Sequence, residues 1–406
     1  MREESNLSYE GVIEQSAAGL KELMESGEEI IGYIYPHVPL ELFMAHGFTP
    51  SLIRALPGVS SGYEESLQTF ACSYIRNLYS QRANGQFLTL AGLLFPGNTC
   101  DALQNLGDVW RVRFHDDRVL RLTYPVTRYS QDESTTNFLA EEIRLLSETL
   151  SRTYNRPFLT ESYDGAIELV QDFRNSAQFL YSARVVNPKI ISYSNVIRLV
   201  RTFLTVPTTS SVSEIKEAAT EVRTTADELG LLSIIESVRH AILEGDYSKV
   251  KLPEDIEIPR IAIAGGMVEP QAITSLINGI PDFSESAIAI DLLSFGFKSV
   301  FTKPPSKSDD HFLEMAKSVL TAPGEPTHEG LSYRMNAMKG LLANFSIHGL
   351  IVCEQSFCDP DQFEAPSIEK AACELDVKTI RVPLDPELSD RGRIETRIQS
   401  FLETLE

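Results

Sequence analysis

Short, almost continuous apolar runs recur in two separate parts of this 406-residue chain, and amphipathic stretches of helical length lie between them. Apolar runs without in-out alternation are typical of strands covered on both faces, as in parallel sheets. The predicted strands are 28–36, 86–96 and 118–125 in the first half, and 260–266, 297–303, 348–355 and 377–384 in the second. This pattern predicts an α/β fold with two Rossmann- or flavodoxin-like parallel-sheet domains.

The region between the two groups of strands has a different pattern. From about 135 to 250 the apolar residues follow helical spacing almost throughout. Residues 251–260, KLPEDIEIPR, then combine two prolines with alternating charge, which is typical of a linker. We therefore predict an N-terminal α/β domain over 1–134, a helical connector over 135–255 that joins the two sheets, and a C-terminal α/β domain over 256–406.

The composition argues against several kinds of partner. With a net charge of −21 the chain has no excess positive charge to neutralise a phosphate backbone, which argues against a nucleic-acid partner. No apolar run is long enough to cross a bilayer, and the polar N-terminus MREESNLSYE shows no signal peptide. Five cysteines in so long a chain do not form a disulfide framework. We expect a cytoplasmic protein without a membrane partner.

Two cysteines follow predicted strands. Cys100 comes after the run that ends near Pro96, and Cys358 comes after 348–355. Because ligands collect at the carboxyl ends of parallel strands, these thiols are candidates for chemistry rather than for packing. Cys72 lies in a stretch predicted to be helical. Three separated thiolates suit a cluster with one non-cysteine position better than a closed structural zinc, but the spacing alone does not name a metal.

The other motifs are less informative. Cys373 lies in an apolar stripe of a predicted helix beginning near Ser367, which favours a small buried hydrophobe, and Cys353 is ambiguous. No Walker motif, GxGxxG, HExxH or GxSxG is present, so we expect ATP to bind elsewhere. His37 and His46 are the two histidines near a predicted strand end.

Five segments occur in the order known from one protein family. They are GYIYPHVPLELFMAHGFTPSLI, CSYIR, TCDALQNL, FCDPDQFEAPSIEKAACELDVKTIRVPLD and RGRIETRIQSFLE. In the first segment, Pro39, Glu41 and Gly47 are in register with the family pattern. On these segments the chain resembles the 2-hydroxyacyl-CoA dehydratase/benzoyl-CoA reductase family, and within it the iron–sulfur D-component subunits. The resemblance covers most of the chain.

The resemblance implies a cofactor and a ligand set. It implies a 4Fe–4S cluster held by Cys72, Cys100 and Cys358, with the fourth iron position open and Cys353 as a bystander. Cysteine thiolates would keep such a cluster electron-rich.

The resemblance also implies a function and partners. In the family, an ATP-hydrolysing iron–sulfur activator protein delivers one low-potential electron, which reaches a CoA thioester bound in a homologous sister subunit. In the dehydratases a ketyl radical anion then expels the hydroxyl group, whereas in the reductases an aromatic ring is reduced. We therefore expect one subunit of a heterodimeric, anaerobic lyase or oxidoreductase that acts on an acyl-CoA. The alternatives are a homodimeric iron–sulfur reductase of a small molecule, similar to double-cubane-cluster proteins, and a catalytically silent cluster-bearing partner.

No catalytic residue is named by the resemblance. The candidates that the sequence offers are His37, Glu41, His46 and Arg397. Arg397 lies on the predicted closing helix. Its side chain either forms part of a solvated charged face or points inward and supports the cluster region through charge-assisted hydrogen bonds.

The chain also departs from the family pattern. Tyr35 stands where many members have a further cysteine, Leu40 replaces the first glutamate of their Pro-Glu-Glu, and His46 replaces a small residue. The segment 291–310 lacks the acidic stretch with cysteine and glycine that is usual there. These departures lead us to expect that the acyl-CoA pocket lies mainly on the sister subunit.

Overall fold

The structure, a computed structural model, describes residues 8–59, 61–87, 89–127, 132–253, 259–281 and 283–405. Within these ranges the chain forms two four-stranded sheets in which every pair of neighbours is parallel. The strands are β1 (Ile30–Tyr33), β2 (Thr49–Leu52), β3 (Gly92–Gly97), β4 (Val119–Thr123), β5 (Ile261–Ala264), β6 (Ile288–Leu292), β7 (Gly349–Gln355) and β8 (Lys378–Leu384). The α/β class with two parallel sheets is confirmed.

The two sheets have the same strand order. The first sheet is ordered β2-β1-β3-β4 and the second β6-β5-β7-β8. This is the order of flavodoxin-like sheets, in which the chain reverses direction across the sheet between the first and third strands. Ligands of such sheets bind at that switch point, beside the loops that follow β1 and β3 in the first sheet and β5 and β7 in the second.

Helices cover the sheets and connect them. They are α1 (Tyr9–Glu25), α2 (Leu40–Ala45), α3 (Ser73–Ala83), α4 (Asp101–Arg113), α5 (Glu133–Tyr154), α6 (Thr160–Val186), α7 (Tyr193–Thr205), α8 (Thr209–Glu228), α9 (Leu232–Glu244), α10 (Pro270–Ile277), α11 (Phe297–Val300), α12 (His311–Thr321), α13 (Leu331–Asn344), α14 (Asp359–Cys373) and α15 (Arg391–Glu403). Helices α5 to α9 form the helical segment expected between the sheets. In the described part of the chain, no helix has both the length and the apolar character needed to cross a membrane.

One predicted domain boundary lies inside a helix, and the other lies outside the described residues. The boundary between 134 and 135 lies in the first turn of α5. The boundary between 255 and 256, together with part of the linker 251–260, lies outside the described residues. Both boundaries stay predictions.

The continuous apolar character of the strands follows from burial on both faces. In β7, Leu350 and Val352 belong to the larger hydrophobic core, whereas Ile351 and Cys353 belong to a second core on the other side of the sheet. Successive side chains of a strand point to opposite faces, so a strand covered on both sides requires an apolar residue at every position. Cys353 is therefore a packing residue of the second core.

One predicted strand was wrong and one edge strand was missed, and each has a physical reason. The segment 297–303 is not a strand, because Phe297, Val300 and Phe301 have the i, i+3, i+4 spacing of a helix face and the first four residues form α11. The strand of this region is β6, directly before it. Strand β2 was missed because it contains Pro50, which is tolerated here since β2 lies at the edge of its sheet.

Candidate functional site

A cavity of about 470 Å³ lies where the two sheets meet. Its wall includes residues from the loops that follow β3, β5 and β7, which are switch-point loops of both sheets. Cys72, Cys100 and Cys358 all line this cavity. The structure therefore brings together the three cysteines singled out in the sequence, two from the first half of the chain and one from the second.

Direct hydrogen bonds hold the two halves together beside the cavity. The Ser73 backbone N–H donates to the Ser356 carbonyl at 3.0 Å, and the Ser73 hydroxyl donates to Gln355 Oε1 at 2.8 Å. Gln355 in turn donates from Nε2 to the Met267 carbonyl at 2.8 Å. The residues next to Cys72 and Cys358 are thus fixed to one another.

Each of the three cysteines is the N-cap residue of a helix. Cys72 precedes α3, Cys100 precedes α4 and Cys358 precedes α14. The sulfur of Cys100 accepts a hydrogen bond from the Leu103 N–H at 3.5 Å. Free N–H groups and the positive end of the helix dipole favour a thiolate at such a position.

Two local predictions around these cysteines are corrected. Cys72 does not lie inside a helix but at its start, and the helix after Cys358 begins at Asp359 rather than near Ser367. Pro360 suits the first turn of a helix, where its missing N–H would have no partner.

The electrostatics of the three thiols differ. Cys72 and Cys358 lie within hydrogen-bond reach, and the Cys358 thiol donates to the Cys72 sulfur, which lowers the pKa of Cys72. The same bond and burial raise the pKa of Cys358. Burial raises the pKa of Cys100 to about 12.

A buried carboxyl group, Asp361, lies beside Cys358. Burial raises the pKa of Asp361 to about 7, although its carboxylate accepts a hydrogen bond from the Gln355 N–H at 3.3 Å. A Cβ atom at Gly266 would meet Asp361 Oδ1 at 2.5 Å, so a larger residue would force the Asp361 carboxylate to move. The close approach of the β5 loop to α14 thus depends on Gly266.

A second carboxylate in the wall, Glu325, is fully paired. It accepts hydrogen bonds from the Ser294 hydroxyl at 2.8 Å and from Lys298 Nζ at 3.0 Å, and His37 Nε2 lies 3.2 Å from its other oxygen. Lys298 also donates to the Gly265 carbonyl at 3.1 Å. The cluster of Glu325, Lys298 and His37 is buried and joins the loop after β1 to the loops of the second sheet.

We expect Glu325→Ala to destabilise the protein by about 3–5 kcal/mol at neutral pH, because it leaves the Lys298 ammonium buried without its carboxylate. Lys298 and neighbouring His37 lower the pKa of Glu325 from 4.5 to about 2. Since the unfolded chain binds this proton more readily, the contribution of Glu325 is complete above about pH 4.5 and is lost as the pH falls towards about 2.

Urea unfolding of the wild type and of Glu325→Ala across this pH range measures the effect. The difference in the free energy of unfolding should shrink on acidification. Glu374→Ala, which removes an exposed ion pair with Lys339, is the matched control and should cost less than about 1 kcal/mol. A pH-independent difference for Glu325→Ala would show that its carboxylate is not the stabilising group.

The remaining sequence candidates lie outside the cavity. Glu41 is buried 3.6 Å from Arg174, beside a separate cavity of about 20 Å³. The His46 ring lies between the Arg156 carbonyl and the Ser147 hydroxyl, both at 2.9 Å, and burial lowers its pKa. These contacts are structural.

The two surface positions of the second half are also remote from the cavity wall. Arg397 is exposed and donates to the Arg381 carbonyl at 2.8 Å, which is the solvated arrangement considered in the sequence. Cys373, at the end of α14, is exposed. The interpretation of Cys373 as a buried hydrophobe was therefore wrong.

Sequence reasoning missed Asp361, Glu325 and Lys298. Asp361 could have been found, because it lies three residues after Cys358 in a segment already singled out. Glu325 and Lys298 carried no local signal, since their pairing joins distant segments. Among the residues that the structure describes, no three histidine, cysteine, aspartate or glutamate side chains are arranged to hold a single metal ion.

Comparison with known proteins places the chain in a family. The family model described as "2-hydroxyglutaryl-CoA dehydratase, D-component" matches residues 36–405. The chain is 21% identical to the (R)-phenyllactyl-CoA dehydratase beta subunit of Clostridium sporogenes, over 95% of this chain and 94% of that one. It is 22% identical to the lactoyl-CoA dehydratase subunit beta of Anaerotignum propionicum, over 94% and 93%.

A third relative is the (R)-2-hydroxyglutaryl-CoA dehydratase subunit beta of Acidaminococcus fermentans, with 21% identity over 93% of each chain. All three relatives are beta subunits of dehydratases that act on 2-hydroxyacyl-CoA compounds, as their names state. The family match extends over strands β2 to β8 and over the loops that carry the three cysteines. The chain therefore belongs to the 2-hydroxyglutaryl-CoA dehydratase D-component family.

Proposed function

We propose that this chain is the cluster-bearing subunit of an ATP-activated 2-hydroxyacyl-CoA dehydratase, and that it passes a low-potential electron towards an acyl-CoA thioester. The observation that carries the proposal is the convergence of Cys72, Cys100 and Cys358 on one cavity between the two sheets. The names of the relatives favour dehydration of a 2-hydroxyacyl-CoA over reduction of an aromatic ring.

The donor set of the cavity fits a 4Fe–4S cluster. Three thiols that line one cavity suit a polynuclear cluster, which distributes its thiolates over several irons. The Thr99 hydroxyl is buried in the wall without a hydrogen-bond partner, and it could donate to a cluster sulfide. Cys72, Cys100 and Cys358 would hold the cluster, which when bound would supply one-electron transfer at low potential.

The chain prepares this site in two ways. Cys72, Cys100 and Cys358 lie at the N-termini of α3, α4 and α14, where the positive end of the helix dipole favours a thiolate, and the Leu103 N–H donates to the Cys100 sulfur at 3.5 Å. Buried side chains such as Tyr74 and Leu103 form part of the wall and keep water from it. Low solvent access and hydrogen bonds to the sulfurs are the levers by which proteins tune the potential of such a centre.

The chain's own sequence supports a division of labour. It contains no phosphate-binding loop, so we place ATP hydrolysis on a separate activator protein and the acyl-CoA pocket mainly on a homologous sister subunit. A homodimeric small-molecule reductase with a larger cluster assembly would require additional thiols at the cavity. Cys353 and Cys373 do not line it.

The experiment that tests the proposal is purification under strictly anaerobic conditions, followed by iron and sulfide determination. We expect a brown protein with about four irons and about four sulfides per chain. A colourless protein that takes up no iron after incubation with ferrous iron, sulfide and a thiol reductant would contradict the proposal.

A further inference from the structure

A second cavity, of about 380 Å³, lies where four helices meet. Its wall includes residues of α1, α7, α10 and the start of α15, so both halves of the chain and the helical segment contribute to it. We call it the four-helix cavity. Among the described residues, its wall shares no member with the wall of the cysteine cavity. Its volume lies within the range of about 300–1,000 Å³ that is usual for small-molecule sites.

A buried glutamine in this wall lacks hydrogen bonds. Gln271 is 3% exposed, and within the described part of the chain neither its Nε2 nor its Oε1 has a hydrogen-bond partner. A buried polar group without a partner costs about 1–3 kcal/mol, so native proteins rarely retain one without a reason. A donor and an acceptor side by side in a cavity wall are suited to a ligand that presents an acceptor and a donor of its own.

Two arginines line the same cavity, although the chain as a whole carries a net charge of −21. Arg391 donates from Nε to Glu395 and from Nη2 to the Ser275 carbonyl, both at 2.7 Å. Arg198 donates from Nη1 to Glu214 at 2.7 Å. A guanidinium group has five N–H donors, so each arginine is held in place and keeps donors for a ligand. Fixed guanidinium groups are well suited to phosphate oxygens.

Gln271 and Arg391 are close enough to contact one ligand. The Arg391 guanidinium is bound to the carbonyl of Ser275, which lies four positions after Gln271 on α10. Residues four positions apart lie on the same face of a helix, about one turn of 5.4 Å from each other. The amide group and the cation therefore belong to one site.

The N-terminus of α1 is a further favourable group for an anion. Ser8, the N-cap residue of this 17-residue helix, lines the cavity, and the positive end of the helix dipole favours negative charge there. The N-terminus of α7 in the same wall already holds a carboxylate, because the Ser194 N–H donates to Glu285 Oε1 at 3.1 Å. Glu10, the one acidic side chain among the described wall residues, is exposed to solvent, which screens its charge.

We propose that the four-helix cavity binds a small phosphate monoester whose uncharged part carries hydrogen-bonding groups, such as a nucleotide or a sugar phosphate. Arg198, Arg391 and the N-terminus of α1 would receive the phosphate. The Gln271 amide would pair with a donor and an acceptor of the uncharged part. Hydroxyl and amide side chains elsewhere in the wall, such as those of Ser192 and Asn278, suit a polar ligand of this kind.

The test is isothermal titration calorimetry of the full chain with AMP, ribose 5-phosphate and inorganic phosphate. We expect at least one of the two organic phosphates to bind to one site per chain with a dissociation constant below about 1 mM. Inorganic phosphate should bind at least about tenfold more weakly, because it lacks the part that pairs with Gln271. The measurement needs neither iron nor a partner protein, so its failure and the failure of the proposed function are distinguishable.

The three probes separate the sources of the phosphate. Binding of AMP alone would support the proposal and identify a nucleotide site, whereas binding of ribose 5-phosphate, with or without AMP, would support it and identify a sugar-phosphate site. Equal binding of all three probes would show that the phosphate alone is recognised, which overturns the proposal. No saturable binding of either organic phosphate up to about 5 mM would also overturn it.

Two variants test the residues that carry the proposal. Gln271→Leu and Arg391→Ala should each weaken the binding of the organic phosphate at least about tenfold. Gln271→Leu should leave the free energy of unfolding unchanged or raise it, because it removes two buried polar atoms without partners. The matched control is Arg393→Ala on the same helix, an exposed arginine paired with Asp390 outside the cavity wall, which should not change the affinity. Unchanged affinity in both Gln271→Leu and Arg391→Ala, or a Gln271→Leu variant that is only less stable, would contradict the assignment.

Discussion

Replacing Cys358 with serine is expected to remove most of the iron from the anaerobically purified chain, from about four irons to less than about one. The same loss is expected for Cys72→Ser and Cys100→Ser. All three line the cavity, where under the proposed function each would supply one protein ligand, and a serine hydroxyl is a poor replacement for a thiolate on iron. Without one of the three, too few ligands remain to retain the cluster.

Cys373→Ser is the matched control for this series. It changes the same atom at an exposed position outside the cavity, so the iron content should stay at the wild-type level. Thermal unfolding followed by circular dichroism, compared among apo forms of all variants, distinguishes a lost ligand from a lost fold. A full complement of iron in folded Cys358→Ser would show that the ligand assignment is wrong.

The isolated chain is expected to have no dehydratase activity, and turnover should appear only when sister subunit, activator and ATP are all present. The chain lacks a phosphate-binding loop, whereas the proposed transfer of an electron of very low potential would be driven by ATP hydrolysis. Under the proposed function, the ATP site would then lie on another polypeptide. The rate of dehydration should rise from background with the isolated chain to the full rate with the complete mixture.

The assay adds the components one at a time under anaerobic conditions and follows loss of water from a 2-hydroxyacyl-CoA. A complete mixture that contains Cys358→Ser is the negative control, because it has every component except an intact ligand set. Turnover by the isolated chain with a chemical reductant and without ATP would contradict the division of labour. That result would instead favour the small-molecule reductase.

The architecture was predictable from the sequence because burial leaves continuous apolar runs in most of the strands, although β2 and β6 were not predicted. Cys100 and Cys358 could be placed at strand ends for that reason alone. Cys72 could not, since it lies in a long connection between β2 and β3 and β2 was concealed by Pro50. Its arrival at the same cavity depends on packing between the two halves.

The charged residues around the site also could not be predicted from the sequence. Glu325 and Lys298 form a pair at 3.0 Å across 27 positions, and His37 approaches the same carboxylate from 288 positions away. Neither spacing corresponds to a helix or strand period, so no local pattern indicates these contacts. Such groups become visible only when the tertiary fold has placed their segments side by side.

The division of the three thiols between two sheets has a consequence for the order of events during biosynthesis. Cys72 and Cys100 leave the ribosome with the first sheet, whereas Cys358 follows only after the helical segment and most of the second sheet have been made. Under the proposed function, a nascent chain would therefore offer incoming iron an incomplete set of donors. Cluster insertion would then follow translation, and a chain truncated before β7 would carry Cys72 and Cys100 alone, which could be oxidised or could capture the wrong metal.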